Sequence, residues 1–249
     1  MSLRLHGVAQ HVEPAGSDAL PLFHADLVDR LLTVAPQPAE PGPDLVVLVN
    51  AAPDTQGHKT TASWLNLRTG GAAHSFALTG QGVGGPFTAL RVADACARTG
   101  RGGSALLAVV ECAGADGASD ASGVLLRLDD RAGGAAVEVA AVPTKELAGE
   151  LAALVPERGQ LLLVLGPGTD PGVAPGERTE VRTAPETSSC TAVWRVLATK
   201  WAASRDRCPV VALCAADPVT ATTHLAVLRD LDEWEPPAGG TEGRGNGRE

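Results

Sequence analysis

An α/β layered fold is predicted by three features of the sequence. Four apolar runs, 44–50, 105–111, 160–165 and 209–215, are hydrophobic without alternation, as strands covered on both faces are. Helical stretches separate these runs, which is the order of a sheet with helices packed on it. In 75–90 (SFALTGQGVGGPFTAL) a strand turns abruptly into a helix through four glycines and a proline. Such a turn reads as a sharp strand–turn–helix elbow, because glycine opens backbone angles closed to other residues and proline suits the first helical turn.

Taken in order, Leu3 to Val12 alternates as a first strand and Asp26 to Val34 forms a short helix. A Pro-rich connector, Pro36 to Pro43, leads to the buried strand Asp44 to Asn50 and a helix over Lys59 to Arg68. The elbow strand, Ser75 to Thr79, is followed by a helix to about Thr99 and a buried strand, Ala105 to Glu111. Val124 to Leu128 and Ala135 to Val142 are expected to pair as a hairpin around 129–134. Then come a helix over Lys145 to Leu154, a strand over Gln160 to Leu165, a short extended piece, Glu180 to Thr183, and a helix from Ser188 to Ser204. Strands over Pro209 to Ala215 and Thr223 to Leu228 close the order. The segment 235–249 (EPPAGGTEGRGNGRE) lacks core-forming residues and is expected to be a disordered tail. The pattern of 75–111 echoes loosely in 160–215, so two related halves are expected, 1–143 and 144–234.

Bulk composition excludes several classes. With 20 basic and 29 acidic residues, the net charge of −9 argues against a general nucleic-acid surface. No signal peptide and no apolar run of membrane-spanning length is evident, so a cytoplasmic protein that does not enter membranes is expected. The five cysteines (96, 112, 190, 208, 214) form no CxxC pair and no Cys/His metal spacing. They read as small buried hydrophobes, and no metal or cofactor is expected.

Chemically, an elbow of this kind presents a nucleophile at a helix N-terminus, where backbone N–H groups hold an oxyanion. Here the tip is Gly80-Gln81-Gly82-Val83, without Ser or Cys. Cys96 lies about three helical turns further on and reads as core. His58 and His74 flank the elbow unit, but for them, as for Asp54 and Lys59, surface roles are the ordinary reading.

The segments DLVVLVNAAPD, TASWLNLRTGG, the elbow and TALRVADACARTGRGGSALLAVVE together resemble the N-terminal half of thiolase-fold condensing enzymes, ketoacyl synthase III above all. Asp116 to Leu128 is similar to the Gly/Ala-rich strand closing that half. Pro185-Glu-Thr-Ser-Ser-Cys-Thr-Ala192 resembles the family's Gly-Asn-Thr-Ser-Ser-Ala-Ser motif. Gly166-Pro-Gly-Thr169 sits where a His-containing motif would fall, and Pro209 to Leu228 resembles the closing strand pair. The resemblance implies a reduced thiolase-like αβαβα fold with two pseudo-symmetric halves. The interval between Glu111 and Val124 is too short for the cap and dimer loop of a full-sized condensing enzyme.

By that resemblance the acyl-carrying Cys falls within Gln81 to Val83, the first His at about Leu165, and the second His or Asn at Glu186. All three functions are replaced together, so no catalytic residue is assigned. A carboxylate at Glu186 would repel an enolate, and reads instead as a helix-start charge favoured by the macrodipole. A thiolase-fold chain lacking its Cys, with Gln nearby, resembles the chain length factor of type II polyketide synthases. That likeness implies a non-catalytic subunit paired with an active ketosynthase, with acyl carrier protein engaged only indirectly. Phe76, Leu78, Gln81, Val83 and Phe87 are the expected interface and tunnel residues. Two alternatives stay open: a stand-alone acyltransferase or hydrolase using His58, His74 or Glu186, and an unrelated α/β small-molecule binding module.

Overall fold

The computed structural model describes residues 3–13, 23–35, 42–51, 60–112, 120–204 and 207–230. The core of the Pro-rich connector, the expected tail and the loop carrying Asp54, His58 and Lys59 lie outside the described residues.

The first half contains β1 (Arg4–Glu13), α1 (His24–Val34), β2 (Leu45–Asn50), α2 (Thr61–Arg68), β3 (His74–Thr79), α3 (Gly85–Arg98), β4 (Ser104–Glu111) and β5 (Ala121–Asp129). The second half repeats that plan with β6 (Ala135–Pro143), α4 (Leu147–Ala152), β7 (Leu161–Leu165), β8 (Thr179–Thr183), α5 (Ala192–Ser204), β9 (Val210–Asp217) and β10 (Thr222–Arg229). A 3-10 turn, Pro171–Val173, stands where the first half has α2.

The ten strands run β3-β2-β4-β5-β1-β6-β10-β9-β7-β8. Read outward from the centre, each side has the same order: the half's first strand, then its fifth, fourth, second and third. The halves join where β1 and β6 pair at only two positions, Arg4↔Ala136 and Leu5↔Ala135. Arg4 reinforces this seam by donating from Nε and Nη2 to the carbonyls of Gly133 and Gly134.

Strand alternation builds the layers, since successive side chains point to opposite faces. On β4, Ala105, Leu107 and Val109 join the inner cluster, while Leu106, Ala108 and Val110 face α1 and α2. On β10, Ala226 and Leu228 face inward, and Leu225 and Val227 face the α4 side. The inner cluster holds Phe87, Ala89, Leu90 and Ala93 of α3 together with Val193, Trp194 and Leu197 of α5. The order of layers is therefore α1/α2, first half-sheet, α3/α5, second half-sheet, α4.

One expectation changes. β5 and β6 do not form a hairpin: β5 pairs with β1 and β4, and β6 pairs with β10. Their alternation suited antiparallel pairing, but the partner of each comes from its own half. β6 holds beside β10 the place that β1 holds beside β5. Among the described residues no helix is long and apolar enough to cross a membrane.

Candidate functional site

The elbow is built as its sequence suggests. β3 ends at Thr79, and Gly80 (φ 72°) and Gly82 (φ 48°) turn the chain through the left-handed region that favours glycine. A 3-10 turn, Gly82–Gly84, then feeds α3, with Pro86 at its start. Gly84 and Gly85 have ordinary helical angles and are demanded by space. A Cβ at Gly84 would stand 2.6 Å from His224 Nε2, and one at Gly85 2.8 Å from Val49 Cγ1. The turn is thus pressed between β2 of its own half and β10 of the other.

The tip itself is open. Gln81 is exposed, and a Cβ at Gly82 would meet nothing within 4 Å. A nucleophile elbow holds its reactive residue at a strained position of this kind. Within the interval 81–83, Gly82 is the residue with such geometry, and it carries no side chain.

Beneath the tip, Phe87 is fully buried between Trp194 (ring centroids 5.3 Å, tilted 56°) and His224 (5.5 Å, 26°). Trp194 Nε1 and His224 Nδ1 are buried without a hydrogen-bond partner among the described residues. Each unmade bond of this type costs about 1–3 kcal/mol. Burial, and then the nearby Arg91 charge, push the His224 imidazole below its usual pKa, with Asp217 opposing.

The corresponding turn of the second half, 184–191 ahead of α5, is closed by a carboxylate. Glu111, at the inward-facing end of β4, accepts from Ser189 N (2.9 Å), Ser189 Oγ (2.5 Å) and Thr191 Oγ1 (3.0 Å). Thr191 Oγ1 also lies 2.7 Å from Ser122 Oγ on β5. Asp120 accepts from Thr187 Oγ1 (2.9 Å) and Arg195 (3.0 Å), and Arg195 also donates to Ser188 Oγ. The Cys190 thiol is held against Val110 O and Glu111, each at 3.8 Å. Burial and then the Glu111 charge push that thiol well above its usual pKa, which disfavours the thiolate. Cys214 is pushed up to about 12 by burial alone.

The sequence-derived positions fall in three places. Val83, Phe76 and Leu78 are half-buried against the inner cluster next to the elbow, and Gln81 stands exposed at its tip. Phe87 lies fully inside. Leu165 is elsewhere: its side chain packs in the outer cluster with Leu161, Leu163, Leu147 and Leu151. Glu186 is exposed in a turn, six residues before α5. The helix begins at Ala192 and not at Ser188, so the carboxylate at its N-terminus is Glu111. His74 is exposed at the far end of β3, roughly 17 Å of strand from the turn. The structure thus gathers His74 and Glu186 into no common site.

Glu111 and His224 were missed by the sequence reading. Alternation carried the signal for both: Glu111 continues the inward series of Leu107 and Val109, and His224 begins that of Ala226 and Leu228. A polar group aimed inward from a buried strand requires a partner or a purpose.

Known structures decide the fold. The chain is similar to 3-oxoacyl-(acyl carrier protein) synthase III, FabH, of Pseudomonas aeruginosa, with a TM-score of 0.65 and 12% identity over 96% of this chain and 100% of that one. The fold is thiolase-like. OleA of Xanthomonas campestris matches with a TM-score of 0.61 and 10% identity, over 92% of this chain and 97% of that one. The synthase III of Aquifex aeolicus matches at 0.55 and 12%, over 91% and 99%. No protein-family model matches the sequence, and a search of curated proteins gave no significant match. The two pseudo-symmetric halves are the arrangement that the likeness to thiolases implies.

Proposed function

We propose that this chain is a non-catalytic subunit of the chain length factor kind, which pairs with an active ketosynthase and helps to shape its acyl tunnel. The observation that carries the reading is the elbow: its turn is retained in full while Gly82 stands at the position made for a nucleophile. Covalent acyl transfer needs a thiolate or an activated hydroxyl at that point. The buried thiols of Cys190, Cys208 and Cys214 are all shifted away from reactivity, and Cys96 lies within α3.

The role proposed is that of a wall and a support. β3 is an edge strand of the sheet, and an open edge is a ready surface for another protein. Phe76, Leu78 and Val83, half-buried beside it, supply apolar surface to an acyl chain at the interface. A carrier protein would be engaged through the ketosynthase, because a chain of net charge −9 offers little attraction to an acidic partner.

Co-expression with a cysteine-containing ketosynthase from the same genome tests the reading. A stable one-to-one complex on size exclusion is expected, together with no thioester release by the isolated chain. Two proteins that purify apart would end it. Thioester release that is lost on His74→Ala or Glu186→Ala would favour the hydrolase alternative instead.

A further inference from the structure

β1 carries one irregularity, and it lies at the seam between the halves. Its register with β5 runs Arg4↔Asp129, Leu5↔Leu128 and then Gly7↔Arg127, so His6 is the extra residue of a β-bulge. The bulge adjoins Arg4↔Ala136 and Leu5↔Ala135, the two positions at which β1 pairs with β6. It sets the imidazole against the turn entering β6: a Cβ at Gly134 (φ 69°) would stand 2.9 Å from His6 Nε2. That nitrogen also lies 3.0 Å from Oδ1 of the buried Asp129, yet it forms no hydrogen bond among the described residues.

Cations surround the ring. Arg4 of β1 is committed to the carbonyls of Gly133 and Gly134 and to Asp230 beyond β10 (3.3 Å). Arg131 of the turn donates to Asp129 from Nη2 (2.6 Å) and from its backbone N (3.1 Å), so Asp129 is already paired. Arg127 of β5 has its Nε buried without a partner among the described residues. The other carboxylates are engaged elsewhere, Asp130 against Gly103 and Glu138 of β6 with Arg229 of β10 (4.0 Å). Burial above all holds the imidazole below its usual pKa, with Asp129 opposing and Arg131, Arg127 and Arg4 adding to the effect. Asp129 pairs with Ser104 at the start of β4, whereas the Glu111 joint is at its end. The seam can therefore part while the halves stay tied.

We propose that His6 is an acid-sensitive latch between the halves. Neutral, it fills the space at Gly134 and keeps β1 against β6. Protonated, it sets a further positive charge among Arg4, Arg127 and Arg131, and the seam parts. Because the open seam takes up the proton more readily, closure is full above about pH 6.5 and weakens as pH falls through that value. The latch is a property of the isolated chain and is independent of the partner reading above.

Hydrogen exchange of the full chain at about pH 7.5 and about pH 5.5, corrected for the intrinsic rate, tests it. Protection of 3–5 and 134–137 is expected to fall about five- to tenfold between them, the span that a group titrating near 6.5 allows. Protection of the Leu163↔Ala212 ladder between β7 and β9 should change less than about twofold. His6→Gln cannot take up the proton and should protect the seam equally at both values. Arg127→Gln removes one of the cations and should shrink the loss; if His6→Gln does not fold, this variant decides. The proposal is overturned if wild-type seam protection is the same at both pH values, or if either variant loses as much as the wild type. It is also overturned if the β7–β9 ladder loses protection in step with the seam.

Discussion

The turns at Gly80–Gly84 and Pro185–Thr191 occupy equivalent places in the two halves, each leading from a sheet-edge strand into an inner helix. They are held in opposite ways. The second turn is tied to the first half by polar bonds: Glu111 receives three close donors from Ser189 and Thr191, and Asp120 receives Thr187 and Arg195. The first turn is held by shape, with Gly84 against His224 of the second half and Gly85 against Val49 of its own half, and its tip stays open. A carboxylate at a helix N-terminus is stabilising and also fills the place an oxyanion would take. One turn is therefore a sealed structural joint, and the other is an open elbow whose exposed tip, Gly82, carries no side chain.

The largest effect should come from unsealing the joint. Glu111→Ala leaves several buried donors without their acceptor, and a loss of about 3 kcal/mol in urea unfolding is expected. A loss under about 1 kcal/mol would mean that the polar joint contributes little to holding the halves together. At the open turn the limit is steric. Gly84→Ala should cost about 2 kcal/mol through forced repacking, and His224→Ala in the same chain should restore most of it. Failure of that rescue would place the strain somewhere other than the 2.6 Å approach to His224.

A smaller change separates the two turns chemically. In a chain with Cys96 and Cys112 changed to Ala, Gly82→Cys places a thiol in open space at the start of α3. Its left-handed φ makes the variant about 1 kcal/mol less stable, and its thiol should react quickly and titrate below the free value of about 8.5. Ser189→Cys, set against the Glu111 carboxylate, should react slowly. Equal reactivity of the two would erase the distinction.

Much of the architecture was legible in the sequence because it rests on patterns local to each segment. The unbroken apolar runs of β2, β4, β7 and β9 marked strands covered on both faces, and the glycines before Pro86 marked the elbow. Pairing was less legible. β5 and β6 follow one another across a short turn as a hairpin would, but β1 and β10 compete for them, and no local pattern reveals a partner about 80 to 125 residues away. The site was half legible for the same reason. An absent thiol can be read directly, whereas Glu111 reaching Ser189 and His224 reaching Gly84 are contacts between halves. Leu165 sat at a plausible place in the chain order, yet strand alternation turns its side chain to the far face of the sheet.

The central claim is that this elbow serves another subunit's chemistry. The direct measurement is elongation by a cysteine-containing ketosynthase from the same genome, purified with and without this chain and compared for rate and product length. The account predicts that the ketosynthase alone is inactive or releases chains of altered length, and that adding this chain restores a single defined length. Equal rates and identical products in both preparations would contradict it.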